Sequence, residues 1–134
     1  LTMVTKRGVI KRTLLTEFEY HRVGGKIAIN LDEDDELIFV RHTTGNASLI
    51  LATREGNAVR FDENNVRSMG RGAHGVKGIT LMGDDYVVGV AVVDEEKSLL
   101  TITDNGITIS ACFSMPNKWN STSSTTLHTT ACSK

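Results

Sequence analysis

The side chains with the most to offer chemically in this sequence are its cations. Twelve of the fifteen Lys and Arg residues fall within the first 77 positions: Lys6, Arg7, Lys11, Arg12, Arg22, Lys26, Arg41, Arg54, Arg60, Arg67, Arg71 and Lys77. Point charges and guanidinium forks spaced along a surface suit a phosphate backbone, which carries charge at regular intervals and needs no base-reading groups. The alternative is a set of solvated polar faces, and composition alone leaves both open. The formal net charge of −1 excludes a uniformly basic nucleic-acid binder but not a local basic stripe.

Catalysis fares worse by elimination. His21, His42, His74 and His128 are scattered, with no HExxH or other metal spacing. There is no GxSxG elbow and no GxxxxGK[ST] phosphate loop, and the glycines of MGRGAHG at 69–75 follow no strand that feeds a helix. The acidic groups Asp32–Glu36 and Asp84-Asp85 read as solvated turn tips. Cys112 and Cys132 have no partners at ligand spacing and read as free thiols. Neither a catalytic constellation nor a metal site emerges, so the expectation is a non-catalytic chain with no cofactor of its own.

The cations must be positioned by something, and a repeat supplies it. TKRG at 5–8 recurs as TREG at 53–56 and TDNG at 103–106, each after an apolar stretch, at spacings of 48 and 50 residues. GKIAINL at 25–31 answers GVKGITL at 75–81, and DELIFV at 35–40 answers DYVVGV at 85–90. Short β-branched and aliphatic runs separated by Gly, Asn and Asp predict antiparallel strands near 1–5, 9–15, 26–31 and 37–43, then 48–53, 57–61, 76–81 and 86–93. Gly8, Gly56 and Gly106 stand where a tight hairpin needs positive φ. Helical turns are expected only near Leu15–Tyr20 and Asn64–Met69.

Four strands per unit of about 50 residues is the arithmetic of propeller blades. The predicted fold is therefore all-β: blade repeats at 1–47 and 48–97, the start of a third at 98–112, and a Ser/Thr-rich divergent tail at 113–134 that reads as a linker adding little to the core. The cations then gather in the hairpin after the first strand of each unit and in the Gly-containing loop before the third. Arg12 and Arg60 occupy equivalent positions, as a track along one edge would require, whereas Ser110 stands at that position in the third unit. At 134 residues, 40% hydrophobic and 23% charged, the chain suits one small globular domain. It has neither an apolar run of membrane-spanning length nor a signal-peptide core at its start, so a cytoplasmic location is expected.

TKRGVIKRTLLTEF at 5–18, GGKIAINLDEDDELIFV at 24–40, LATREGNAVRFDENNVRSMGRGAHGVKGITL at 51–81 and LLTITDNG at 99–106 resemble consecutive blades of the C-terminal domain of bacterial DNA gyrase A subunits. VRSMGRGAHGVKGI at 66–79 is the most specific element, and topoisomerase IV A subunits share the architecture. The resemblance implies a β-pinwheel, a ring of four-stranded blades that exchange strands with their neighbours. It implies that duplex DNA wraps around a basic outer rim, here carried by Lys6, Arg7, Lys11, Arg12, Arg22, Lys26, Arg54, Arg60, Arg67, Arg71 and Lys77. It further implies a chromosome-associated part of an ATP-dependent, negatively supercoiling enzyme. Its partners would be the gyrase A N-terminal region and the gyrase B subunit, with ATP and Mg entering through those other parts. The QRRGGxG-type gyrase box is not intact; the nearest string is HRVGGKI at 21–27. Tyr20 and Tyr86 match blade positions and not the family's catalytic tyrosine. A propeller-like protein-interaction scaffold is the alternative.

Overall fold

A computed structural model describes residues 1–20, 23–94, 98–103, 108–112, 118–120 and 127–130. Its strands are β1 (Thr2–Thr5), β2 (Val9–Arg12), β3 (Leu37–Arg41), β4 (Ser48–Thr53), β5 (Asn57–Asp62), β6 (Val76–Lys77), β7 (Val87–Val92), β8 (Ser98–Thr103), β9 (Thr108–Cys112), β10 (Lys118–Asn120) and β11 (Leu127–Thr130). The helical turns at Leu15–Phe18 and Glu63–Asn65 are both 3₁₀. Among the described residues no helix is long and apolar enough to cross a membrane.

Among the described residues all the strand ladders are antiparallel, and they form three sheets in the orders β3-β1-β2-β6, β10-β5-β4-β7 and β11-β8-β9. Hairpins β1-β2 and β4-β5 close at Gly8 and Gly56, whose φ angles of 80° and 85° meet the requirement for a left-handed residue. Gly106 lies outside the described residues. In each of the first two sheets a strand from further along the chain completes the blade. β6, from the second repeat, pairs with β2 through Val9↔Lys77 and Ile10↔Val76. Likewise β10, from the tail, pairs with β5 through Lys118↔Val59 and Asn120↔Asn57. The segment expected to be a linker thus holds two strands, the second of which, β11, pairs with β8.

This exchange also accounts for a strand that does not form. Residues 26–31 match β6 in the repeat, yet they have no ladder among the described residues. Side chains hold the segment instead: Lys11 Nζ donates to the Ala28 carbonyl at 2.9 Å, and Asn30 Nδ2 to that of Gly72 at 2.9 Å. The expected strand at 76–81 likewise shortens to Val76–Lys77, anchored beyond its end where Gly78 N–H donates to the Gly8 carbonyl at 2.8 Å.

Alternation along β4 produces two cores. Leu49 and Leu51 face the first sheet and join Val4, Ile10 and Val66, with Phe39, Phe61 and Val76 packed around them. Ile50 points the other way, to Ala91 and to Leu99 of β8. A period of two puts successive residues on opposite faces, so β4 is buried almost throughout as the wall between two layers. Fully burying each such aliphatic side chain contributes roughly 1.5–3 kcal/mol. The β6 crossing depends on Gly75 (φ 110°), where a Cβ would lie 2.8 Å from the Ile10 carbonyl oxygen.

Candidate nucleic-acid interface

The repeated hairpin tip is built by the same bonds in both blades. In the first, Lys6 N–H donates to the Glu36 carbonyl at 2.8 Å, and Arg7 N–H to Asp35 Oδ1 at 2.9 Å. In the second, Arg54 N–H donates to the Tyr86 carbonyl at 2.9 Å, and Glu55 N–H to Asp85 Oδ1 at 3.0 Å. Thr5 and Thr53 hydroxyls accept from Val9 and Asn57 N–H, closing each turn. The sequence pattern places Asp35 and Asp85 at solvated tips. They are instead buried, at 9% and 8% exposure, because an orphaned turn N–H needs an acceptor that the hairpin itself lacks. Their shared place in DELIFV and DYVVGV is the sequence signal that separates them from Asp32, Asp34 and Asp84.

Each tip presents a cation. Lys6 and Arg54 are equivalent in the repeat, and both approach one ring, Tyr86, at 5.3 and 5.8 Å from its centroid. Lys6 also pairs with Glu36 at 3.3 Å and Arg7 with Asp34 at 3.4 Å. Both are exposed pairs of the kind worth about 0–1 kcal/mol, which an incoming phosphate can displace. Lys77 of β6 lines the same shallow concavity as Lys6, Arg7 and Tyr86, with Asp34, Asp84 and Asp85 among its walls. The strand exchange therefore brings cations of both repeats to one place.

Other predicted rim residues lie elsewhere. Arg67 is exposed, as are Arg7, Arg54 and Lys77, whereas Arg60 and Arg71 are half-buried. Lys26 donates to the Glu17 carbonyl at 3.1 Å and sits 5.7 Å from the Tyr20 ring. Arg22 lies outside the described residues. Lys11 is fully buried, its ammonium donating to the carbonyls of Ala28 and Arg71. Burial, and secondarily the Arg71 charge, push that ammonium below the usual lysine range.

Arg12 is largely withdrawn from solvent, its side chain 19% exposed. Its Nη1 donates to the carbonyls of Glu63 and Val66, and its Nε lies 3.6 Å from Glu63 Oε2. The Glu63 side chain is wholly buried and accepts from Ala47 N–H at 2.7 Å and from the Thr43 hydroxyl. This cluster ties β2 of the first blade to the end of β5 and to the loop before β4. Lys11 and Arg12 are thus removed from the rim that the repeat pattern assigned them, because each is held by acceptors that are distant in sequence.

Burial alone would raise the Glu63 carboxyl, but the Ala47 and Thr43 hydrogen bonds, the Arg12 charge and the Gly45 backbone outweigh it and leave it below the ordinary value. A depressed folded-state pKa contributes stability that is complete above the unfolded value of about 4.3 and is lost as pH falls through the folded value. The thermal midpoint should therefore fall as pH drops below about 4, and the fall should be shallower in Glu63→Gln. Parallel melts of the two proteins between pH 6 and pH 2 check this; superimposable pH profiles would remove Glu63 as a contributor.

Residues 1–44 and 47–94 match the family described as DNA gyrase C-terminal domain, beta-propeller. The DNA gyrase A subunit of Staphylococcus epidermidis is 47% identical over 108 residues, and that of Salmonella typhimurium 48% identical over 104. These alignments cover 79% and 78% of this chain but 12% of each relative, so the chain spans about an eighth of their length. Among solved structures, the C-terminal domain of DNA topoisomerase IV superposes with a TM-score of 0.78 at 32% identity, over 84% of this chain and 35% of the other. The DNA gyrase A C-terminal domain superposes with a TM-score of 0.71 at 25% identity, over 98% and 48%. With its repeat, its exchanged strands and its paired hairpin tips, this chain belongs to the DNA gyrase A C-terminal domain family.

Proposed function

We propose that the chain binds and bends duplex DNA through phosphate contacts, without sequence specificity and without catalysis of its own, as part of the C-terminal domain of gyrase A. The observation that carries this reading is the convergence of Lys6, Arg7, Arg54 and Lys77, from two blades, around Tyr86. Cations on short, braced turns suit a polyanion, whose phosphate oxygens are contacted without regard to base sequence. In the whole enzyme such a surface would wrap DNA at the chromosome and support ATP-dependent negative supercoiling. DNA cleavage would come from the gyrase A N-terminal region, and Mg-dependent ATP hydrolysis from the gyrase B subunit.

The test is a titration of labelled duplexes of scrambled sequence at several salt concentrations. Affinity should be indifferent to sequence and fall with salt at a log-log slope of about −0.9 per phosphate neutralised. Two blades offer a short contact path, so binding should be weak and bending partial. Salt-indifferent binding, or a strong preference for one duplex, would instead favour a protein-interaction scaffold.

A further inference from the structure

The main chain of Tyr86 is held by both blades. Its carbonyl accepts from Arg54 N–H at 2.9 Å, while the next residue, Val87, donates its N–H to the Lys6 carbonyl at 2.8 Å. The ring thus stands between two hairpins that are otherwise independent turns, with Lys6 Nζ and Arg54 Cζ 5.3 and 5.8 Å from its centroid. At the equivalent place in the first blade stands Glu36, whose carboxylate pairs with Lys6 at 3.3 Å. An acid there competes with phosphate for the cation, whereas a ring attracts the cation through its face and leaves the ammonium and guanidinium donors free to bond elsewhere.

We propose that Tyr86 is a positioning residue for DNA phosphates: it holds Lys6 and Arg54, one from each blade, as a single pre-arranged pair across the blade junction. The proposal rests on the DNA-binding reading above. Long cationic side chains lose rotamer freedom when they engage a ligand, and a ring that already restricts two of them lowers that penalty at binding. Tyr86 itself need not touch DNA.

The test uses the whole 134-residue chain, duplex DNA as the probe, and Tyr86→Leu beside Tyr86→Phe. Loss of two exposed cation–ring contacts should weaken binding about fivefold in Tyr86→Leu, while Tyr86→Phe, which keeps the ring face, should bind within about twofold of the parent. In a Lys6→Ala/Arg54→Ala background the Leu substitution should have no further effect, an outcome that a purely structural role would not produce. A Leu variant that binds like the parent, a Phe variant as weak as Leu, or a loss that persists without the two cations would each overturn the proposal while leaving DNA binding intact. Absence of salt-dependent binding by the parent would overturn both. One measurement needs no variant: the ring current should move the Lys6 ε-methylene protons upfield in the NMR spectrum, with and without DNA. Random-coil shifts there would overturn the proposal even if Tyr86→Leu failed to fold.

Discussion

Arg12→Ala should destabilise the folded chain by about 3–5 kcal/mol, the range for removing one partner of a buried ion pair. The substitution leaves the Glu63 carboxylate, which has no solvent exposure, without its counter-charge, and strips a donor from the carbonyls of Glu63 and Val66. Against a total stability of about 5–15 kcal/mol for a domain of this kind, that is a large share. Urea denaturation should show a lower midpoint with an unchanged slope, because the surface exposed on unfolding is nearly the same. Replacing both partners with apolar residues, as Arg12→Met with Glu63→Leu, should recover only part of the loss: it removes the uncompensated charge but leaves Ala47 N–H, the Thr43 hydroxyl and the Glu63 and Val66 carbonyls without their partners. DNA affinity, measured where the variant is still folded, should keep its salt slope. An Arg12→Ala protein of normal stability whose slope falls by about one would instead return Arg12 to the rim.

Arg12 also marks what a sequence discloses and what it hides. The hairpins about Gly8 and Gly56 are legible because a repeated apolar run followed by a glycine turn is a local pattern, decided within a few residues. The strand exchange is implied only by family resemblance, since alternation cannot say that Ile10 pairs with Val76 from the next repeat. Residues 26–31 look as strand-like as 76–81, and only the neighbouring sheet determines which of them forms a ladder. The cations divide in the same way. Clustering along the chain points to the hairpins of Lys6, Arg7 and Arg54, where the tips are indeed exposed or nearly so. It cannot distinguish these from Lys11 and Arg12, whose acceptors at Ala28, Arg71, Glu63 and Val66 are 17 to 60 residues away. A charge enters a protein interior only with such partners, and partners distant in sequence leave no periodic trace.

If the exposed cations and not the buried ones meet DNA, removing Arg7, Arg54, Arg67 and Lys77 together, the predicted rim cations that are exposed, should cause a large binding loss. Each phosphate contact adds about 0.9 to the salt slope, so four substitutions to Ala should flatten it by up to about 3.6. Parent and variant lines then converge near 1 M salt and diverge below it, giving a difference of up to about three and a half orders of magnitude at 0.1 M. Arg7 should account for less than its share, because its pair with Asp34 at 3.4 Å already spends part of its charge. Stability should barely move, since exposed pairs contribute about 0–1 kcal/mol and none of the four anchors the core. That combination, a collapsed salt slope on an intact fold, is the reverse of the Arg12→Ala result. A quadruple variant that melts normally and keeps the parent's slope would show that these exposed cations are not where DNA is held.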